Sequence, residues 1–437
     1  MTTPPMPAKP VAISRHPTQL SPSSPPTWAA RLADLEPLWI LALGLLLLFP
    51  GRLAPITWQP ALVLALFLFW PVRLWAHRRL LLPAPVNASM GLILLWIPVT
   101  LWVSVDRANS WVVAGYLLLG LALAFALINW RPARRHPLRI ASLILAIGLV
   151  LTALSPVLSE LSMGKLFRIP QVDPLLQAAA AITAGNVNAN TLAGALVLTA
   201  PLFLALALRQ DWTRRRWLPW LCLLAGMLNL LALFLTQSRG AYMAVAAAVG
   251  LLLVLRWPRL LLGAPLLVIL LPAVVVFLGP TQLFAAVTAG TGVSGLEGRT
   301  ELWRHAWRVL QELPLTGIGL GAFDQVIPVL QPYVHLTPDK IYLHAHNLLL
   351  QTALDLGAPG LVGVLATHLV VFALLIALLR RRRRPLTWTL AAGVLCSLVA
   401  LHVHGLFDAP LTVSKPAFLP WLLIALAVRL YLDTCDP

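Results

Sequence analysis

Residues 361–384 read LVGVLATHLVVFALLIALLRRRRR, an apolar run that ends in consecutive arginines. A helix needs about 20 mostly apolar residues to cross the ~30 Å hydrocarbon layer of a bilayer. Connections on the cytoplasmic side of a membrane collect Lys and Arg. The stretch therefore predicts a transmembrane helix whose C-terminal end faces the cytoplasm.

The rest of the chain repeats this pattern. Of its 437 residues, 59% are hydrophobic and 11% are charged, so lipid rather than water must surround most of the apolar surface. About twelve segments approach the length of a membrane span, which predicts an all-α polytopic membrane protein. They lie near residues 35–50, 60–76, 88–104, 111–129, 138–156, 190–208, 217–236, 240–256, 259–278, 346–379, 387–406 and 417–432. The tenth is long, and we expect it to break near Gly357 and Pro359, because proline removes a backbone donor and clashes with the preceding turn.

Basic residues alternate between the connections. They cluster after spans two, four, six, eight and ten, within residues 73–79, 131–139, 209–216, 256–259 and 380–384. This alternation predicts that both termini are cytoplasmic. The net charge of +17 therefore mostly encodes orientation. Because no basic groove interleaved with aromatic residues accompanies it, we expect no nucleic-acid partner.

Composition divides the chain into three parts. Residues 1–30 are rich in Pro, Ser and Thr and predict a disordered cytoplasmic tail. Residues 31–185 contain the first membrane helices, and residues 186–437 contain the remaining ones. Two outward-facing loops, 157–189 and 279–345, are long enough to suggest a function.

The second long loop contains an amphipathic segment that starts at Arg299. Apolar residues recur there at helical spacing, with charged residues on the other faces. The apolar positions are Leu302, Trp303, Ala306, Trp307 and Leu310. This pattern predicts an interfacial helix with its aromatic face toward lipid.

Arg239 lies in the very short connection Gln237-Ser238-Arg239-Gly240, at the outward end of spans seven and eight. Charges near membrane depth are costly and often functional. An anionic ligand is one explanation for Arg239. A snorkelling arginine at a helix end is the other.

His344 and His346 precede span ten, and His404 and Asp408 follow from the end of span eleven on the same face. Two histidines at this spacing could ligate a metal only in an extended segment, and no carboxylate cluster accompanies them in the sequence. A general base or a substrate hydrogen bond is the preferred interpretation. A structural, hydrogen-bonded histidine is the alternative.

The stretch Pro314-Leu315-Thr316-Gly317-Ile318-Gly319-Leu320-Gly321 superficially looks like a nucleotide-binding loop. It lacks the P-loop lysine and the Rossmann spacing. We interpret it as a tight turn that leads away from the interfacial helix.

Several of these strings together resemble the O-antigen ligase and polymerase family in order and spacing. They are Ser238-Arg239-Gly240, Gly298-Arg299, the glycine-rich turn 314–321 with Ala322-Phe323, His346-Asn347, and His404-Gly405-Leu406-Phe407-Asp408. The ligase signature places two glycines after His346-Asn347, as Gly357 and Gly360 do here. The signature continues with Thr, whereas this chain has Leu361. The resemblance covers about residues 185–412.

The resemblance implies a bacterial inner-membrane enzyme with an extracytoplasmic active site. Such enzymes transfer a glycan from undecaprenyl pyrophosphate to an acceptor hydroxyl, with inversion and without a metal or other cofactor. Arg239 and Arg299 would bind the donor pyrophosphate, and His346 would be the catalytic base. Four further residues would have a supporting role at this site, namely His344, Asn347, His404 and Asp408. The expected partners are the lipid-linked donor, a sugar or lipid-glycan acceptor, and membrane lipids.

Two alternatives remain open at this point. A polymerase of the same family would extend an O-antigen or exopolysaccharide chain instead of moving a finished one. A polysaccharide transporter or flippase would also have about twelve spans. A transporter should show repeated halves with polar or broken helices near the midplane, which this sequence lacks.

Overall fold

The computed structural model describes residues 27–134, 136–158, 188–209, 216–263, 270, 276–277, 279, 296–333, 336, 341–381, 384–409 and 413–435. The α-helices in these ranges are α1 (Thr27–Ala33), α2 (Glu36–Leu48), α3 (Gln59–Ala65), α4 (Phe69–His77), α5 (Asn87–Val103), α6 (Arg107–Asn129), α7 (Leu138–Leu158), α8 (Ala189–Ala207), α9 (Leu218–Leu235), α10 (Arg239–Arg256), α11 (Leu296–Glu312), α12 (Phe323–Leu330), α13 (Leu348–Arg381), α14 (Pro385–Gly405) and α15 (Leu419–Cys435).

The predicted class, an all-α polytopic membrane protein, is confirmed. Within the described part of the chain, nine helical segments are long and apolar enough to cross a membrane, and α5 is a shorter apolar helix. The helix α2 is shorter than the span predicted for residues 35–50. The span predicted for residues 259–278 and the loop 157–189 lie largely outside the described ranges, as do residues 1–26. Residues 27–30, predicted as the end of a disordered tail, are instead the start of α1.

Two helices, α6 and α8, lie at the centre of the bundle. They are apolar on all sides and almost wholly buried, as expected for helices surrounded by other helices. On α9, by contrast, Leu221, Leu224, Leu228 and Leu231 are exposed at helical spacing. Such a continuous apolar stripe is expected to face lipid. The helix α14 packs against both α8 and α10, and so joins the centre of the bundle to α10.

Two of the basic residues have a structural role. Arg73 is buried and pairs with Glu36. Arg429 is buried, donates to Asp433 Oδ1 at 3.0 Å, and also donates to the carbonyl of Ile128 at 3.2 Å. Pairing is what makes a buried charge tolerable. These two arginines therefore tie helices together in addition to any effect on orientation.

The predicted break in the tenth span is confirmed at Gly357, where φ is 63° and ψ is −176°. The glycine-rich turn fills this break. The N–H of Ile318 donates to Leu354 O, and the N–H of Ala358 donates to Pro314 O, both at 2.8 Å. A Cβ on Gly357 would lie 1.8 Å from the carbonyl oxygen of Leu315. The turn and the kinked helix can therefore approach this closely only with glycine at residue 357.

Candidate functional site

The segment His344-Ala345-His346 is held at the start of α13. Asn347 caps the helix, because its Oδ1 accepts hydrogen bonds from Leu349 N and Leu350 N at 3.1 Å. His346 has a positive φ of 48°. A non-glycine residue in this region costs free energy and is often found at functional sites. The strained backbone turns the imidazole of His346 back toward that of His344, with ring centroids 4.1 Å apart.

A second set of contacts holds the same segment from inside the bundle. Gln351 Oε1 accepts from Ala345 N at 2.8 Å, and its Nε2 donates to Asp355 Oδ1 at 2.9 Å. Asp355 Oδ1 also accepts from Gly321 N at 3.2 Å. Gln351 and Asp355 are fully buried. Sequence reasoning missed both, although two polar residues four positions apart within an apolar span are a signal of function or structure.

Three histidines predicted for the site meet at the carboxylate of Asp408. Its Oδ1 lies 3.6 Å from Nδ1 of His346 and 3.8 Å from Nδ1 of His344, and its Oδ2 lies 3.6 Å from Nε2 of His404. Gly405 permits this arrangement, because a Cβ there would lie 2.8 Å from Leu348. The structure thus brings the start of span ten and the end of span eleven together.

The charges in this cluster follow from burial and proximity. Burial alone would raise the pKa of Asp408, but the imidazoles of His346, His404 and His344 around it hold that pKa well below its usual range. Burial, together with the neighbouring His346, lowers the pKa of His344 to about 4, and the Asp408 carboxylate opposes this only in part. Asp408 is therefore a carboxylate and His344 a neutral imidazole near pH 7. Among the described residues, Nδ1 of His346 is buried without a hydrogen-bond partner.

Two predicted arginines lie beside this cluster. The guanidinium carbon Cζ of Arg299 lies 5.9 Å from the ring centroid of Phe407. Phe407 directly precedes Asp408 in the sequence. Burial lowers the pKa of Arg299, the Asp408 carboxylate raises it, and the positive charge of Arg239 lowers it again. The start of α10 also touches the cluster, since a Cβ on Gly240 would lie 3.4 Å from Nδ1 of His404. Arg239 and Arg299 are thus close enough to influence each other electrostatically.

Arg239 follows a strained residue. Gln237 has a positive φ of 53° and is buried together with Ser238. The three-residue turn between α9 and α10 therefore places Arg239 half-buried at the N-terminus of α10. The sequence indicated a sharp turn here, but not the backbone conformation that makes it.

The amphipathic helix predicted to start at Arg299 is present as α11, but its apolar face does not point to lipid as predicted. Leu302, Ala306 and Val309 are fully buried and pack in a separate core with Phe323 and other residues that precede or start α13. Trp303 donates from Nε1 to Ala345 O at 2.9 Å. The apolar face of α11 therefore packs on protein, because the loop after it folds back over the start of α13. Trp307 remains exposed.

His402 does not join the cluster. Its Nδ1 lies 2.8 Å from the carbonyl of Leu398, and its ring lies 4.9 Å from that of His368. Two positions along a helix differ by about 200° around its axis, so His402 and His404 must point in different directions.

His344, His346 and Asp408 could hold a metal ion, since one ligand atom from each lies within 4.8 Å of the others. A single carboxylate, Asp408, reaches the two histidines from the end of another helix. The positive charges of Arg299 and Arg239 beside the cluster oppose binding of a cation. These arginines favour an anion at the same place.

The comparisons with known proteins agree with the motifs. No protein of curated function is significantly similar to the chain. A family model described as O-antigen ligase matches residues 224–365, less than half of the chain. The matched range includes Arg239, Arg299 and His346, whereas His404 and Asp408 follow it. This match supports the resemblance to the O-antigen ligase and polymerase family that the motifs indicated.

Proposed function

We propose that this protein transfers a glycan from undecaprenyl pyrophosphate to an acceptor hydroxyl, as an O-antigen ligase-like enzyme. One observation carries the proposal. A buried carboxylate, Asp408, is surrounded by His344, His346 and His404, and Arg299 lies beside it. This arrangement offers a proton acceptor and an anion site side by side. Transfer from a pyrophosphate to a hydroxyl needs both.

His346 acts on the acceptor in this proposal. The acceptor oxygen attacks the anomeric carbon from the side opposite the pyrophosphate, which gives inversion, and its proton passes to Nε2 of His346, the ring nitrogen that is not turned toward Asp408. The carbon–oxygen bond to the pyrophosphate breaks, and the electron pair leaves with the pyrophosphate. Asp408, 3.6 Å from Nδ1 of His346, stabilises the imidazolium that forms.

Arg239 and Arg299 bind the donor. Guanidinium groups match phosphate oxygens in a bidentate manner, and their charge offsets the negative charge that develops on the leaving pyrophosphate. The positive charges of Arg239 and Arg299 repel each other. A dianionic ligand that binds between the two guanidinium groups offsets this repulsion. The reaction therefore proceeds without a metal ion in this proposal.

The site is expected to face the extracytoplasmic side. The helices α10, α13 and α14 each carry arginine at the end opposite the site, at Arg256, Arg381 and Arg384. A cysteine at the exposed residue Leu343, in a Cys435→Ser background, should react with an impermeant thiol reagent in intact spheroplasts. Labelling only after permeabilisation would reverse the orientation.

The decisive experiment uses purified full-length protein with a synthetic undecaprenyl-pyrophosphate glycan and an acceptor. We expect acceptor-linked glycan and free undecaprenyl pyrophosphate, in the presence of EDTA. Loss of activity in EDTA that is restored by a divalent metal would assign His344, His346 and Asp408 to a metal site instead. Products that grow by many repeat units on the lipid carrier would identify a polymerase. A protein that only moves the donor across vesicles would be a transporter.

A further inference from the structure

A cavity lies at the basic end of the bundle, opposite the candidate site. Its volume is about 340 Å³, and residues of α8, α10 and α14 line it at the place where these helices pack together. Arg209 follows the end of α8, Arg256 ends α10, and Trp388 lies in the first turn of α14. All three side chains line the cavity. Nothing in the proposed glycan transfer uses it.

The cavity has a polar mouth and apolar walls. Arg209 and Arg256 supply positive charge, and Thr389 supplies a hydroxyl. Leu252 and Leu255 form part of the wall. A site with two guanidinium groups above apolar side chains matches a ligand with an anionic head and hydrocarbon tails.

Arg256 points most directly to a ligand in this cavity. Its Nε is buried without a hydrogen-bond partner within the described part of the chain. A buried donor on a charged group is costly when it is unpaired. A phosphate oxygen in the cavity would accept from it, and none of the described residues that line the cavity is a carboxylate.

The surroundings indicate a membrane ligand and not a soluble one. The cavity continues to Pro258, which starts a short 3₁₀ helix with exposed Leu260, Leu261 and Leu262. Exposed leucines next to a basic cavity are expected at the boundary between headgroups and acyl chains. Acyl chains could lie along them while the phosphate occupies the cavity.

We propose that this cavity binds the phosphate of an anionic phospholipid from the leaflet at the basic end of the protein. Basic pockets between transmembrane helices on the cytoplasmic side are suited to such headgroups. The bound lipid bridges α8, α10 and α14 at the ends remote from Arg239 and His404. The proposal does not depend on the glycan transfer.

The test is native mass spectrometry of the delipidated full-length protein with phosphatidylglycerol or with phosphatidylcholine of the same acyl chains. We expect tighter retention of phosphatidylglycerol. Arg256→Gln should weaken that retention by about tenfold, since a hydrogen bond to a charged group is lost, and Arg209→Gln should weaken it in the same direction. Arg259→Gln is the matched control, because Arg259 is exposed on the same connection and does not line the cavity.

Equal retention of the two lipids by the wild-type protein would overturn the proposal, whether or not the variants fold. So would unchanged retention in a monodisperse Arg256→Gln protein. Displacement of phosphatidylglycerol by millimolar inorganic phosphate would show that the site takes free phosphate instead of a lipid. Glycan transfer is measured separately, so failure of either assay leaves the other result interpretable.

Discussion

The helices α13 and α14 carry charged or titratable residues at both ends, but the two ends are built differently. At one end His346, His404 and Asp408 are largely enclosed by protein and share contacts. At the other end Arg380 and Arg381 are exposed. Enclosed polar groups must find partners within the protein, and small changes in them have large effects. Exposed arginines can reach water and phosphate headgroups, and single substitutions there should matter little.

The strongest way to test this comparison is His346→Ala. We expect turnover to fall by about 10² to 10⁴-fold, the usual contribution of a general base, with little change in lipid-donor binding. His344→Ala should be milder, because the neutral His344 contacts the cluster without accepting the proton. Turnover and donor binding are measured side by side for both variants. Near-normal turnover in His346→Ala, or a loss caused entirely by weaker donor binding, would remove His346 from the base role.

The next largest effect should come from Arg299→Lys. Lysine keeps the charge but loses the planar fork, so we expect activity to fall by roughly 10 to 100-fold, as for one lost hydrogen bond to a charged group. Arg304→Lys is the matched control, since Arg304 is on the exposed face of the same helix α11. The readout is kcat/KM for the lipid donor. Equal activity of the two variants would mean that Arg299 has no bidentate contact with the donor.

Asp408→Asn should lower the rate throughout pH 5–8. The pKa of Asp408 is lowered, so its carboxylate is charged over that whole range and supplies the counter-charge for the imidazolium that forms in the reaction. The plateau of the pH–rate profile should fall by about tenfold when that counter-charge is removed.

His344→Ala provides the comparison for this rate. The pKa of His344 is about 4, so His344 is neutral throughout that pH range and its removal takes no charge from the cluster. A larger loss of turnover in His344→Ala than in Asp408→Asn would contradict the assignment of charges in the cluster.

The smallest expected effect concerns a residue that only positions the site. Gln351→Leu leaves the buried N–H of Ala345 unpaired, which should destabilise the protein by about 1–3 kcal/mol and lower kcat more than donor affinity. Faster amide exchange in residues 343–347 would report the loosened segment. Thr352→Val removes only a hydrogen bond within α13, to Leu348 O, and should not change exchange there. Identical exchange in Gln351→Leu and the wild type would show that the segment is held by other contacts.

The sequence predicted most of the membrane helices, the break at Gly357 and the identity of the clustered residues. These features depend on local rules: apolar length, the fixed φ of proline, and the spacing of motifs. It did not predict that α11 buries its apolar face on protein. A hydrophobic stripe has the same appearance whether lipid or another part of the chain covers it.

What the sequence by itself determined about this protein is its membrane class, the alternation of basic connections and its resemblance to the O-antigen ligase family over residues 224–365. The tertiary structure alone decided that Asp408 reaches His344 and His346, that Gln351 and Asp355 fix the loop, and that Arg209 and Arg256 border one cavity. These contacts join residues far apart along the chain. The physical reason is that hydropathy and helical periodicity act over one or two turns, whereas the contacts of a side chain depend on how whole helices pack.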